Sequence, residues 1–378
     1  MVFAALVLAG CAGGSSAESG ASGASSAATP ALENCPVSYD ENFGQINIDT
    51  SIDDFNALGF AYGDEVSIAF SNGYQITVPY FSGYYGKVGD RMLVAYPGYE
   101  YVLLAESFGN SMWETAGLAD GDTATVTLAG AGTYADAQES FNITYSDERS
   151  DFASDAAFAN FRSIAGGSIA PNTVYRSASP VDDEHNRSGY VNKLMADAGV
   201  RFVLNLSDDD AEMDEDQADA KEKGVDQSPF VALRESGNVL GLNLGANYPS
   251  ASYAQKLAAG LVELSKHDGP YLVHCVEGKD RTGFTCMLLE ALAGATYDEM
   301  LADYMITYDK YYGITEQSDP TRYNVIARTT FDGMLEHLPG MEGADLATAS
   351  YAEPARAYLR MGGMTDEQID ALVARITA

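Results

Sequence analysis

The chain has 378 residues, 21 of them Lys or Arg and 55 Asp or Glu, for a formal net charge of −34. Nucleic acid, heparin and anionic lipid surfaces need a basic footprint, and the absence of any Lys or Arg before Lys87 weighs against such polyanionic partners. Apolar residues at 46% and aromatics at 11%, with 24 Tyr among them, suffice for packed cores and exclude wholesale disorder, and the length fits two or three domains.

Residues 1–11, MVFAALVLAGC, make a short apolar run that falls well below the roughly 18 residues of a membrane span. Its end, Leu8-Ala9-Gly10-Cys11, resembles a bacterial lipobox. The resemblance implies that Cys11 becomes the new N-terminus and carries a diacylglycerol, which would anchor the protein to the outer face of a bacterial membrane. The basic segment that opens such signals is missing, a departure that an upstream start would explain. A buried strand followed by a chance Cys is the alternative. Residues 12–33, almost all Gly, Ala and Ser, bury too little surface to offset ordering entropy and read as a flexible linker.

Residues 40–146 read as a small antiparallel barrel or sandwich. Strand-like runs fall at Glu65 to Phe70, Tyr74 to Phe81, Arg91 to Tyr96, Tyr101 to Glu106, Thr123 to Leu128 and Ser140 to Tyr145. Turn residues such as Asn72-Gly73, Pro97-Gly98 and Asp120-Gly121-Asp122 separate them. Ile46-Asn47-Ile48-Asp49-Thr50, Pro79-Tyr80-Phe81 and Gly117 to Asp122 are together similar to the C-terminal barrel of S-adenosylmethionine hydrolases and halogenases. The similarity stops short of those enzymes' catalytic half, so a spacer or substrate-docking role is expected instead of adenosyl chemistry. Tyr80, Phe81, Tyr84 and Tyr85 are read as core before binding face.

From 150 to 378 apolar strands alternate with amphipathic helices, the pattern of an α/β layer structure with a mostly parallel sheet flanked by helices. Val200 to Leu206 reads as a buried strand. Ser252 and Gln255 suggest a capping box opening a helix that Gly269-Pro270 closes, and Tyr271-Leu272-Val273 follows as a second buried strand. That strand runs into His274-Cys275-Val276-Glu277-Gly278-Lys279-Asp280-Arg281-Thr282-Gly283, with a helix expected over Phe284 to Ala293.

A Cys, five residues, an Arg and a hydroxyl residue between strand and helix have a physical rationale. Five residues wrap once around a phosphate, so the backbone N–H groups from Val276, Glu277, Gly278 and Lys279 converge on its oxygens. Arg281 closes the ring with a planar fork, and the helix N-terminus adds its positive end. The same field makes a Cys275 thiolate the expected nucleophile, with His274 fixing the loop and Thr282 able to donate to the leaving sulfur. The run is identified as the Cys-x5-Arg-Thr loop of the protein tyrosine phosphatase superfamily, in the form H-C-x-x-G-K-D-R-T-G of secreted bacterial enzymes. That resemblance extends upstream through Asn160-Phe161-Arg162, Gly166-Gly167 and Val174-Tyr175-Arg176-Ser177. It implies hydrolysis of phosphotyrosine, sometimes of phosphoinositides, through a phosphocysteine and with no cofactor or metal. Soluble inositol phosphates are alternative substrates, and a phospho-ligand-binding module without turnover is a reading of another class.

Two features depart from the family. Asn205-Leu206-Ser207 stands where Asp-Leu-Arg is common, and Gln227 to His267, where many relatives carry the general acid, holds no Asp. Asp280 is therefore the expected acid, with Asp208 as rival. The run Asp208 to Asp216 reads as a solvated loop in preference to a calcium site, His185, His267 and His337 as surface residues, and Tyr304 to Tyr312 as either aromatic walls or helix core. A Cys35–Cys286 bridge would have to cross domains and is not expected. A last helix, Thr365 to Ile376, opens on Thr365 and Gln368 and presents an apolar face for packing.

Overall fold

The computed structural model of the protein describes residues 29–41 and 43–378. Cys11 and most of the expected linker lie outside the described residues. The first strand, β1 (Ala31–Tyr39), begins inside the stretch expected as linker, because Cys35 and Val37 alternate inward from it. With β2 (Ile46–Ile48), β3 (Glu65–Phe70), β4 (Gln75–Phe81), β5 (Arg91–Val94), β6 (Val102–Glu106) and β7 (Thr123–Gly130) it closes a barrel in the order β1-β2-β6-β5-β4-β3-β7. Period-two burial drives closure: Val66, Ile68 and Phe70 point into one core with Ile46, Ile48, Leu104 and Val126. The pairing is antiparallel except between β4 and β5, which run parallel.

The expected strand over Ser140 to Tyr145 is not formed. Helix Ala135–Phe141 occupies its start, since Ala135, Ala137, Gln138 and Glu139 are good helix formers, and the chain then continues without regular structure to residue 148. That helix packs on helix Pro320–Ile326 of the second domain, where Arg322 bridges to Glu139 at 2.8 Å, and Lys87 pairs with Glu336 at 2.6 Å. The barrel is thereby docked on the α/β domain.

The second sheet holds β8 (Arg162–Ser163), β9 (Val174–Ser177), β10 (Phe202–Asn205), β11 (Val239–Gly241) and β12 (Tyr271–His274) in the order β11-β10-β12-β9-β8. All pairs are parallel except β8 with β9. Side chains alternate across it: Phe202, Leu204, Tyr271 and Val273 enter the large core, whereas Val203 and Leu272 enter the core on the other face. Helices Ala251–Lys266, Asp280–Leu292 and Asp366–Ile376 cover the first face, and Ser188–Asp197 with Ser228–Glu235 cover the second. Helix Ala251–Lys266 is capped by Ser250, two residues before the expected Ser252. Asp366–Ile376 carries the expected capping box of Thr365 and Gln368, with Ile369, Leu372 and Ile376 buried.

Asp210–Glu222 is a helix, not a solvated loop, because Asp209 and Glu212 form a reciprocal capping box and Met213 and Ala220 bury one edge. His185, His267 and His337 are half-buried and not free on the surface. His185 faces Asp147, and the His267 ring stacks on Phe202 at 4.2 Å. Cys35 and Cys286 are free thiols in separate cores. Among the described residues no helix is long and apolar enough to cross a membrane.

Candidate active site

The central strand β12 ends at His274, and the chain turns at once through Cys275 to Lys279 into helix Asp280–Leu292. The helix starts four residues earlier than its apolar pattern indicates, so Asp280, Arg281 and Thr282 form its first turn. Gly278 makes the turn, with φ +70°, and a Cβ there would stand 2.2 Å from the Ser177 carbonyl oxygen. Only glycine satisfies both conditions.

Three successive loop carbonyls are drawn away from the loop's interior. Val276 O accepts from Ser179 N at 2.9 Å, Glu277 O from the Tyr311 hydroxyl at 2.9 Å and Asn160 Nδ2 at 3.3 Å, and Gly278 O from Arg176 Nη2 at 2.9 Å and Asn160 Nδ2 at 3.1 Å. In a trans peptide the next N–H points opposite to the carbonyl, so the amides of Glu277, Gly278 and Lys279 turn inward. This is the wiring of an anion cradle. Arg281, which would close it, has its guanidinium steadied by Nη1 donating to Leu244 O at 2.9 Å.

Cys275 is buried at the floor. His274 is fully buried, and burial pushes its pKa down despite the nearby Asp208 carboxylate, so the ring is neutral at pH 7. Its Nδ1 lies 3.3 Å from Cys275 O, a backbone tie of the kind expected, while Nε2 has no partner. The Thr282 hydroxyl is likewise buried without a hydrogen-bond partner.

Asp280 and Asp208 now separate. Asp280 leaves 47% of its side chain open to a cleft, yet the surrounding walls desolvate the carboxyl and raise its pKa, with Lys279 opposing. Lys279 Nζ lies 3.7 Å from Asp280 and 3.1 Å from Glu277, which also accepts from the Tyr145 hydroxyl at 2.5 Å. Asp208 is not one of a solvated run: it is buried, and Asn205 Nδ2 donates to its carboxylate at 2.8 Å. Asn205 Oδ1 also takes the amides of Ser207 and Asp208, so the residue standing in the usual Asp position shapes the turn after β10.

The cleft beside Asp280 measures about 280 Å³. The α/β domain contributes Lys279, Asp280, Tyr248, Tyr308, Tyr312 and His337, and loops of the barrel close the opposite side. Helix Tyr297–Tyr312 thus resolves the choice left open in the sequence, since Tyr308 and Tyr312 reach the cleft and Tyr304 packs in the core. Tyr84 and Tyr85 also reach it, whereas Tyr80 and Phe81 are core as expected.

Several residues that shape the site carry no predicted role. Asp303 accepts from Arg162 Nε at 3.0 Å and Arg176 Nη1 at 2.5 Å, and although burial opposes its charge the two guanidiniums hold its pKa down. Asp303 therefore locks Arg176 under the loop. Asn160, Arg162 and Arg176 stand in the upstream motifs, but Asp303 lies in a helix with nothing local to mark it. Tyr145, expected as the end of a strand in the β module, stacks on Tyr311 and lies 4.8 Å from the Arg187 guanidinium as well as binding Glu277.

Comparison with known proteins gives the same family. Residues 156–378, more than half of the chain, match the tyrosine phosphatase family. A tyrosine-protein phosphatase of Nostoc commune is 31% identical over 119 residues, 30% of this chain and 40% of that protein. The triple specificity protein phosphatase PtpB of Mycobacterium tuberculosis is 37% identical over 62 residues, 16% of this chain and 22% of that one. The chain thus spans less than half the length of these curated relatives. Among solved structures, the core catalytic domain of the PP-IP phosphatase SIW14 from S. cerevisiae aligns with a TM-score of 0.26 and 16% identity, covering 44% of this chain and 95% of that one. The chain belongs to the tyrosine phosphatase family.

Proposed function

We propose that the protein hydrolyses aryl phosphomonoesters, phosphotyrosine in proteins first among them, through a phosphocysteine. The observation that carries this reading is the outward pull of the Val276, Glu277 and Gly278 carbonyls beside Cys275 and Arg281. A phosphoryl group in the cradle has its three equatorial oxygens on the loop amides and the Arg281 fork. Cys275 Sγ attacks phosphorus as the bond to the ester oxygen breaks, and Asp280 delivers its proton to that oxygen. The resulting carboxylate then takes a proton from water as the water oxygen attacks phosphorus. The S–P bond breaks, and the unpaired Thr282 hydroxyl is free to donate to the departing thiolate.

Cleft chemistry favours a ring over a polyphosphorylated inositol. Both lysines that line it are already paired, Lys87 with Glu336 and Lys279 with Glu277, and burial lowers the pKa of His337 so that it is neutral at pH 7. A second phosphate finds little uncompensated positive charge there, whereas Tyr308 and Tyr312 offer faces to a phenyl ring. For localisation, the Leu8-Ala9-Gly10-Cys11 sequence supports a protein lipid-anchored to the outer face of a bacterial membrane, with Cys11 as the anchor.

The test is hydrolysis of p-nitrophenyl phosphate, phosphotyrosyl and phosphoseryl peptides, phosphoinositides and inositol phosphates by wild type and Cys275→Ser, with and without chelator. Turnover highest on phosphotyrosine and lost in Cys275→Ser is expected. No wild-type turnover with retained phosphopeptide binding would make the protein a binding module, and loss of turnover to chelator would overturn the metal-free scheme.

A further inference from the structure

The cleft beside the catalytic loop belongs to two domains. Its far side is built from barrel residues, Tyr84 to Val88 in one loop together with Ser107 and Phe108 in another. These loops are held against the α/β domain by the Lys87–Glu336 pair at 2.6 Å, and Gly333 sits so close beneath Lys87 that a Cβ on it would lie 2.8 Å from the lysine Cβ. The wall is therefore seated, not merely adjacent.

Phe108 is the most telling residue in it. It is 53% exposed and adopts a left-handed backbone with φ +49° immediately before Gly109, a conformation that costs a bulky residue free energy. Neither the barrel's core nor its turn geometry needs a phenyl group at that position. Tyr84, 37% exposed, stands on the same wall with its hydroxyl tied to Tyr99. At about 280 Å³ the cleft is larger than one phenyl ring requires and falls just short of the lower end of ordinary ligand pockets, about 300 Å³.

We propose that Tyr84 and Phe108 of the barrel form a specificity subsite of the active site, one that receives an apolar or aromatic side chain flanking the phosphotyrosine of a peptide substrate. The inference rests on the phosphotyrosine reading and extends it. Asp280, Tyr308 and Tyr312 line the same cleft as Tyr84 and Phe108, so a phosphotyrosyl ring held beside Asp280 would bring the peptide chain that carries it alongside the barrel wall. With the cleft lysines paired to carboxylates, that wall offers apolar contact and not charge.

The experiment compares full-length wild type, Tyr84→Ala/Phe108→Ala and, as a control, Phe43→Ala, an exposed barrel residue outside the cleft. Substrates are p-nitrophenyl phosphate, a phosphotyrosyl peptide with Leu or Phe next to the phosphotyrosine, and the same peptide with Gly there. The double variant is expected to raise KM for the apolar peptide about tenfold, the scale of losing one buried side-chain contact, with kcat little changed. Rates on p-nitrophenyl phosphate should stay within about twofold, as should every rate of Phe43→Ala. Unchanged KM for the apolar peptide would overturn the subsite. A parallel fall on p-nitrophenyl phosphate would also overturn it, by showing the wall to be structural only. Wild type that cleaves p-nitrophenyl phosphate but neither peptide would instead overturn the phosphotyrosine reading underneath, a result separable from the other two.

Discussion

Asp280 occupies the first position of its helix, flanked by the nucleophile's loop on one side and the arginine fork on the other. Desolvation raises its carboxyl pKa, so the carboxyl keeps its proton to a higher pH than an ordinary aspartate allows. In the proposed mechanism the first chemical step requires the protonated form, so the rate should fall as pH rises through this raised pKa. Asp280→Asn should remove that alkaline limb, and should slow poor leaving groups strongly while sparing activated aryl phosphates, measured as a leaving-group series across pH. Asp208→Asn should leave the slope of that series unchanged, because Asp208 is bound to Asn205 beneath the turn. A steeper slope in Asp208→Asn than in Asp280→Asn would exchange the two roles. Arg281→Lys tests the cradle itself: a point charge lacks the planar fork, and a loss of about 10²–10³ in kcat is expected. Near-normal turnover would mean that the phosphate is held elsewhere.

At the scale of elements, what was legible in the sequence and what was not divide along physical lines. The strand, loop and helix around Cys275 were legible because ten adjacent residues specify one local geometry. Helix Asp210–Glu222 was obscured by its composition: with only Met213 and Ala220 buried it shows no apolar period, and its one local signal was the Asp209 and Glu212 cap. Phe141, Ile143 and Tyr145 alternate like a strand, but they have no partner strand to pair with and instead pack at the cleft and on the Cys275 loop. Support of the loop by Asp303 was invisible for another reason, since it joins residues more than a hundred positions apart. That support has a measurable cost of removal. Asp303→Asn would strand two buried guanidiniums, and a loss of about 3–5 kcal/mol in urea unfolding is expected. A change below about 1 kcal/mol would show that water or another group already compensates Arg162 and Arg176.

For the whole molecule, the dominant quantity is a net charge of −34, which the proposed substrate, itself an anion, would meet. The cradle supplies local positive potential, but an approaching phosphopeptide must first cross the field of the whole acidic surface. That field reaches about 30 Å at 0.01 M salt and about 10 Å at 0.1 M, whereas the amides and fork of the cradle act within contact distance. Acidic residues flanking the phosphotyrosine should therefore raise KM strongly at low salt and much less at higher salt. The clean measurement is the ratio of kcat/KM for two phosphotyrosyl peptides, one with acidic and one with neutral flanks, followed as sodium chloride is raised. Taking the ratio cancels any competition between chloride and phosphate for the cradle, which affects both peptides alike. The penalty on the acidic peptide should shrink steadily with salt. A ratio that stays constant would mean that the barrel wall and the catalytic loop shield the cleft mouth from the rest of the surface, and that selection among peptides is made by contact alone.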